Sequence, residues 1–397
     1  MKILIISYSD ISGGAAKAAF RLHTAFLQQK INSNMLVIKK KSNDIRVLDP
    51  KTKIEKFISF FLPFIEKFKA EIFYRQKKGM FSPGTTGFPG IINKINSMKP
   101  DIVHLHWING GMIKIEDLKK INAPIVWSLQ DMWPLTGGCH FCNCNLYHRE
   151  CSSCSANIYF KKEKNYEKIN RLIINGTSKW IAECAKKSSL FKDRKIVHLP
   201  NIIDTNSFKP IDKKKVRKLF DIPQNKKIIL FAASDIDDPR KGLKKLLLAL
   251  SELNYSNLIF VIAGKKKPKK PIETKFPVYY IPPVNDDFSL SSVYNIANTV
   301  ILPSTQDNLS NIVIESMSCG IPVVAFDIGG NSDMIEHKVN GYLAKPFETE
   351  DLANGIKYIM NSSEYGELCN NAREKAKKKF DSTVVARQYE QLYNEIL

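Results

Sequence analysis

The sequence predicts an α/β protein of two domains built on buried parallel strands. Three observations carry that expectation. Short apolar runs enter glycine turns and lead into helix-forming stretches, as at residues 3–8 before Gly13 and Gly14, 227–234 before Gly242, and 323–326 before Gly329 and Gly330. The chain has 397 residues, too many for one domain of ordinary size and suited to two. Hydrophobic residues make up 44%, which supplies proper cores and excludes global disorder.

Charge and cysteine narrow the class. A net charge of +21 calls for an acidic partner: nucleic acid, an anionic lipid surface or a phosphorylated substrate. The lysines are spread along the chain, with no helix-turn-helix or zinc-finger spacing, which argues against nucleic acid. The opening apolar run is too short for a signal peptide and reads as a first strand; no window reaches the roughly 18 to 20 apolar residues of a membrane span. The protein is therefore expected in the cytoplasm. Cys139, Cys142, Cys144, Cys151 and Cys154 cluster, and reduced thiols there favour a metal over disulfides.

In chain order, a strand at 3–8 turns at Gly13-Gly14 into a helix over 16–29; such a turn brings backbone N–H groups near a phosphate or sugar. Residues 51–80 interleave lysines with Phe57, Phe60, Phe61, Phe64, Phe68, Phe73 and Tyr74 around Pro63. That composition fits a membrane-interface helix docking on the cytoplasmic leaflet, or equally a kinked helix packed on the first domain. A strand at 101–105 ends in His106 and Trp107, candidate ligand residues because ligands sit beyond the carboxyl ends of parallel strands. The strand at 124–129 ends in Gln130 and Asp131.

The cysteine stretch 136–155 reads as an insertion. Cys151 and Cys154 form a C-x2-C pair, and Cys139 with Cys144 is the leading second pair for a structural zinc, with Cys142, His140 and His148 in reserve. Free or paired cysteines are the alternative. A helix capped by Ser178 follows, then Pro200-Asn201-Ile-Ile-Asp204 and Phe208-Lys-Pro210. The second domain restarts with a strand at 227–234, a turn through Arg240, Lys241 and Gly242, and a helix over 243–253. Strands follow at 257–264, 278–284 and 299–302.

The stretch after them carries the chemistry. Asp307 lies in a loop; Ser310 or Asn311 can cap a short helix; Glu315 sits one turn inside it, on the face of Asn311. Gly320 with Pro322 ends the helix, because glycine tolerates the left-handed position and proline cannot continue. The helix start at Leu309, Ser310 and Asn311 favours a diphosphate. A carboxylate inside it can accept from ribose hydroxyls. A capping Asp and an ordinary Glu are the plainer reading.

Asp307 with Glu315, followed by Cys-Gly-Ile-Pro-Val-Val-Ala-Phe-Asp-Ile-Gly-Gly, resembles the acidic-x7-Glu signature of retaining GT-B glycosyltransferases of family 4 (glycosyl transferases group 1). The stretches 200–210 and 340–343 resemble that family too, and the Thr-Gly-Gly-Cys-His cluster resembles its bacterial surface-polysaccharide subset. The resemblance implies a GT-B fold, two doubly wound Rossmann-like domains facing across a cleft. It places an acceptor-side domain at 1–205 and a nucleotide-sugar domain at 206–382, with a helix at 383–397 crossing back. It implies transfer of a sugar from a nucleotide-diphosphate donor to a glycan or lipid-linked acceptor, with retention and without a cofactor, on the inner face of the plasma membrane.

By position, the resemblance gives Asp307 to the donor sugar, Glu315 to the ribose and Lys241 to the diphosphate, with Arg240 in place of the family's earlier Arg. Gly13 and Gly14 would overlie the cleft. Gln130 stands where the family has a His that contacts the donor sugar; Gln can donate to a hydroxyl but holds no proton. Asp131, His106 and Trp107 complete the expected cleft. A sugar-binding or partner subunit with weakened catalysis is the alternative, ahead of a zinc-containing nucleic-acid-binding protein.

Overall fold

A computed structural model describes residues 1–74, 80–141, 154–264, 271–284 and 286–397. The chain forms two compact units, Met1–Asn201 with Val385–Leu397, and Ile202–Val384.

The first unit is built on strands β1 (Lys2–Ile6), β2 (Asn32–Leu36), β3 (Val47–Leu48), β4 (Ile102–Leu105), β5 (Ile125–Leu129), β6 (Leu172–Gly176) and β7 (Lys195–His198), all parallel. Their order in the sheet is β3-β2-β1-β4-β5-β6-β7. The central strands are buried throughout, as continuous apolar runs predict for a sheet covered on both faces. The Gly14–Gln28 helix follows β1. The helix Lys53–Phe73 runs unbroken through Pro63, where a kink was expected; a capping box between Thr52 and Glu55 starts it.

The second unit uses β8 (Lys227–Ala233), β9 (Leu258–Gly264), β10 (Val278–Ile281), β11 (Thr299–Leu302), β12 (Val323–Phe326) and β13 (Gly341–Ala344) in the order β10-β9-β8-β11-β12-β13. Alternate residues go to opposite faces. Leu230, Val300 and Val323 meet the helices Asp287–Asn295, Asn311–Ser318 and Tyr365–Phe380 on one side. Phe231, Ile301 and Val324 meet Leu243–Ser251 and Thr349–Asn361 on the other.

Where the chain enters and leaves this unit, its two segments are paired. The Ile203 N–H donates to Phe380 O and the Ser382 N–H to Ile203 O, both at 2.8 Å. Arg373 donates to the carbonyls of Thr205, Phe208 and Ser318. The last helix, Ser382–Asn394, carries Tyr389 and Tyr393 to the first unit's core, where Tyr393 Oη lies 2.6 Å from His104 Nδ1.

Candidate functional site

In the second unit, β9 and β10 lie to one side of β8, and β11 to β13 lie to the other. Consecutive connections diverge there, and beyond the carboxyl ends of strands at such a reversal is where open parallel sheets take their ligands. The loops after these two strands carry Lys241 and Asp307.

After β8 the chain makes a single turn of helix, Pro239–Lys241, capped by Asp238. Arg240 and Lys241 are adjacent, so their side chains diverge. Arg240 folds back on Asp238 at 2.6 Å. Lys241 reaches across, its Nζ donating to Asp307 Oδ2 at 3.0 Å. The two loops are also joined along the backbone, from the Thr305 N–H to Arg240 O at 2.7 Å. Two glycines make the approach possible. Gly242 has φ +74° and a Cβ on it would lie 1.8 Å from Pro303 O; Gly329 has φ +54° and its Cβ would lie 1.9 Å from Asp307 O. Loop 303–309 is thus held between two backbone turns that admit no side chain.

The Asn311–Ser318 helix starts from this loop. Ser310 occupies the cap position but its side chain makes no capping bond, contrary to expectation. The turn is set instead by the Gly330 N–H donating to Asn308 O at 2.7 Å. Leu309 packs into the core beneath the helix, leaving only its backbone to the turn. Glu315 is buried, 3% exposed, and its Oε2 accepts from Tyr294 Oη at 2.6 Å. A carboxylate accepts several hydrogen bonds, so this bond orients the group without exhausting it. Gly320 ends the helix as expected: Gly320 N–H bonds Met317 O and Ile321 N–H bonds Ser316 O, a Schellman pair. Tyr294 was not singled out from the sequence. It lies in a serine-rich helix with no motif, and only the packing of that helix on Asn311–Ser318 reveals it.

The first unit has its own reversal, between β1 and β4. Gly13, with φ +101°, caps the helix that begins at Gly14, and a Cβ on it would meet nothing within 4 Å. The Tyr8 N–H donates to Trp107 O at 2.7 Å, bringing the loops after β1 and β4 together. Asp131 is committed locally. Its Oδ2 accepts from Trp107 Nε1 at 3.0 Å and lies 2.7 Å from His140 Nδ1, while Oδ1 accepts from the Trp133 N–H at 2.9 Å. Gln130 donates from Nε2 to Asn201 Oδ1 at 3.1 Å and lies 3.3 Å from His106 Nδ1. His106 packs against His104, the ring centroids 4.5 Å apart and the rings tilted by 35°. Burial pushes its imidazole down to about 3, so it is neutral near pH 7.

Of the expected zinc set, Cys144 and Cys151 lie outside the described residues, as do the reserves Cys142 and His148. Cys139 is buried and Cys154 half-buried. Their segments meet, the Ser155 N–H bonding Gly137 O at 2.9 Å. The reserve ligand His140 is already used on both ring nitrogens, by Asp131 and, at 2.9 Å, by Ser82 Oγ. No group of three metal-binding side chains occurs among the described residues.

Two doubly wound parallel-sheet units, each with its polar side chains at the point where strand order reverses, define the GT-B class. Solved structures share this architecture over the whole chain. Sucrose-phosphate synthase from Thermosynechococcus elongatus superposes with a TM-score of 0.71 at 18% identity, covering 99% of this chain and 98% of the other. Anabaena HepE in complex with UDP and glucose gives 0.67 at 15%, covering 99% of each.

More specifically, residues 212–379, all within the second unit, match the family glycosyl transferases group 1. Among curated relatives, an uncharacterized glycosyltransferase of Methanocaldococcus jannaschii is 26% identical over 191 residues, 46% of this chain and 48% of the relative. The capsular polysaccharide biosynthesis glycosyltransferase CapM of Staphylococcus aureus is 23% identical over 225 residues, 53% of this chain and 58% of the relative. This chain thus spans about half the length of these relatives.

Proposed function

We propose that this protein is a glycosyltransferase that moves a sugar from a nucleotide-diphosphate sugar to a glycan or lipid-linked acceptor with retention of configuration. Its setting would be cell-surface polysaccharide synthesis at the cytoplasmic face of the plasma membrane. The observation that carries this reading is the Lys241–Asp307 pair at the strand-order reversal, beside a helix whose first turn leads to an oriented Glu315. The family domain and the UDP held by HepE support a nucleotide donor. CapM supports the polysaccharide setting.

In this scheme Glu315, steadied by Tyr294, accepts from the ribose hydroxyls. The backbone N–H groups at Ser310 and Asn311 and the ammonium of Lys241 face the diphosphate and stabilise the charge that builds as it departs. Asp307 holds Lys241 in place and meets the donor sugar. The acceptor hydroxyl attacks the sugar's anomeric carbon on the face the diphosphate leaves. The carbon–phosphate oxygen bond breaks, the new glycosidic bond forms, and the departing phosphate oxygen takes the hydroxyl proton. Gln130 contributes hydrogen bonds only, and a structural zinc on Cys139, Cys144, Cys151 and Cys154 would brace the inserted loop without entering the reaction.

Lys241→Ala is expected to lower turnover on the order of a hundredfold or more with the fold intact, as loss of a charge-stabilising donor does elsewhere. The measurement is nucleotide release from UDP-, GDP- and ADP-sugars, with product anomers read by NMR. Unchanged turnover in both Lys241→Ala and Glu315→Ala defeats the proposal. Binding of a nucleotide-sugar with neither hydrolysis nor transfer would favour a sugar-binding subunit, the reading that Gln130 and Asp307 suggest.

A further inference from the structure

The Lys53–Phe73 helix shows the solvent the wrong face. Its anchoring stripe is narrow: Leu62, Glu66 and Ala70 are buried at successive i+4 positions. Leu62 sits against Gly111, where a Cβ would come within 2.8 Å of the leucine. Glu66 Oε1 accepts from the Gly84 N–H at 2.7 Å, and Lys69 Nζ donates to Thr86 Oγ1 at 3.1 Å. With the Thr52–Glu55 capping box, these contacts fix which way the helix is turned.

The opposite face is apolar and exposed. At about 100° per residue, Ile54, Phe57, Phe61, Phe64, Phe68 and Ile72 fall in one arc of roughly 90°. Each of them is at least 42% exposed. The rings already pack on one another, with centroids of Phe57 and Phe61 at 4.7 Å and of Phe60 and Phe64 at 5.5 Å. A ridge of this size on a water-facing surface marks something that covers it.

Charge says what covers it. Lys53, Lys56 and Lys67 are exposed along one flank of the ridge, and the chain carries +21. A second copy would bring the same lysines and the same net charge together. An anionic bilayer complements both, taking the rings among its acyl chains and the ammonium groups at its head groups. The helix is about 30 Å long at 1.5 Å per residue, which suits lying in the interface. Among the described residues no helix is long and apolar enough to cross a membrane.

We infer that the Lys53–Phe73 helix is a monotopic membrane anchor that lies in the interface of an anionic bilayer, phenylalanine ridge down and lysine flank at the phosphates. This names the part of the chain that meets the membrane in the functional reading above. Its test needs no sugar, so failure of either leaves the other standing.

The full chain is mixed with phosphatidylcholine vesicles with and without phosphatidylglycerol, and sedimented at low and high salt. Phe64→Trp supplies a depth probe, read by quenching from lipids brominated on the acyl chain. The expected result is binding that requires phosphatidylglycerol, weakens with salt, and quenches the indole introduced by that substitution. The triple variant Phe61→Ser, Phe64→Ser, Phe68→Ser should keep its melting temperature, since these side chains face outward, and lose on the order of tenfold or more of its partitioning. Three outcomes overturn the inference: no vesicle binding at low salt, binding undiminished in the triple variant, or binding without acyl-chain quenching. A lipid-free dimer that the triple variant abolishes, with no vesicle binding, assigns the ridge to a second copy instead.

Discussion

Tyr294 shows how much a single hydroxyl can decide. Glu315 is buried one turn into its helix, and a buried carboxylate must have partners. The phenol supplies one at 2.6 Å from a neighbouring helix. Tyr294→Phe keeps the packing and removes only that bond, which for a charged acceptor is worth about 1.5–3 kcal/mol. If Glu315 clasps the ribose, calorimetry should show UDP or UDP-sugar binding weakened on the order of tenfold in this variant, beside the fall of several degrees in melting temperature that the lost bond itself brings. A large fall in melting temperature at unchanged affinity would make the pair a packing device. Asp307 and Glu315 could be picked out from the sequence by spacing and helix signals. Tyr294 could not, because no local pattern ties residue 294 to residue 315. Gln130 and Asp131 were legible as strand-end residues, but their commitments to Asn201, Trp107 and His140 are long-range and depend on packing.

Among the elements, the loop that carries Asp307 depends on glycines more than on its own residues. Gly329→Ala would press a methyl group against Asp307 O in a left-handed backbone conformation, and the carbonyl has nowhere to go because Asn308 O is held by Gly330. Such strain costs of the order of 1–3 kcal/mol. The expected outcome is a lower melting temperature of the second unit and, if Lys241 faces a nucleotide-sugar diphosphate as proposed, a drop in affinity for that donor, since the Lys241 partner moves with the loop. Gly13→Ala meets nothing within 4 Å and carries only the conformational cost. It should be the milder of the two by thermal melting. The glycine turns were legible because a strand run into Gly-Gly before a helix is a strong local signal. The phenylalanine helix was legible as amphipathic, but not which face turns inward. That was decided by Glu66 meeting Gly84 and Leu62 meeting Gly111, contacts distant in sequence.

For the whole molecule, the return of the last helix to the first unit creates a polar cluster inside an apolar core. His104 bonds Tyr393 on one nitrogen and Ser128 on the other; Asn175 bonds Tyr389; the His106 ring packs tilted against His104. Both imidazoles are buried, and burial pushes each down, His106 to about 3 and His104 well below its ordinary 6.5. The unfolded chain therefore binds protons that the folded chain refuses. Stability rises with pH wherever the unfolded state holds more protons, so the contribution is complete above about 6.5 and is lost as pH falls from there towards 3. Each histidine is worth about 1.4 kcal/mol per pH unit inside that window. Glu66 works in the opposite sense, because burial raises its carboxyl and acid favours its folded form. A difference measurement removes it. Urea unfolding of the wild type and of His106→Gln between pH 7 and pH 4 should show the variant losing stability less steeply, by about one proton's slope, whatever its midpoint at neutral pH. Equal slopes would mean that His106 titrates normally, and that the cluster beneath the last helix is open to water.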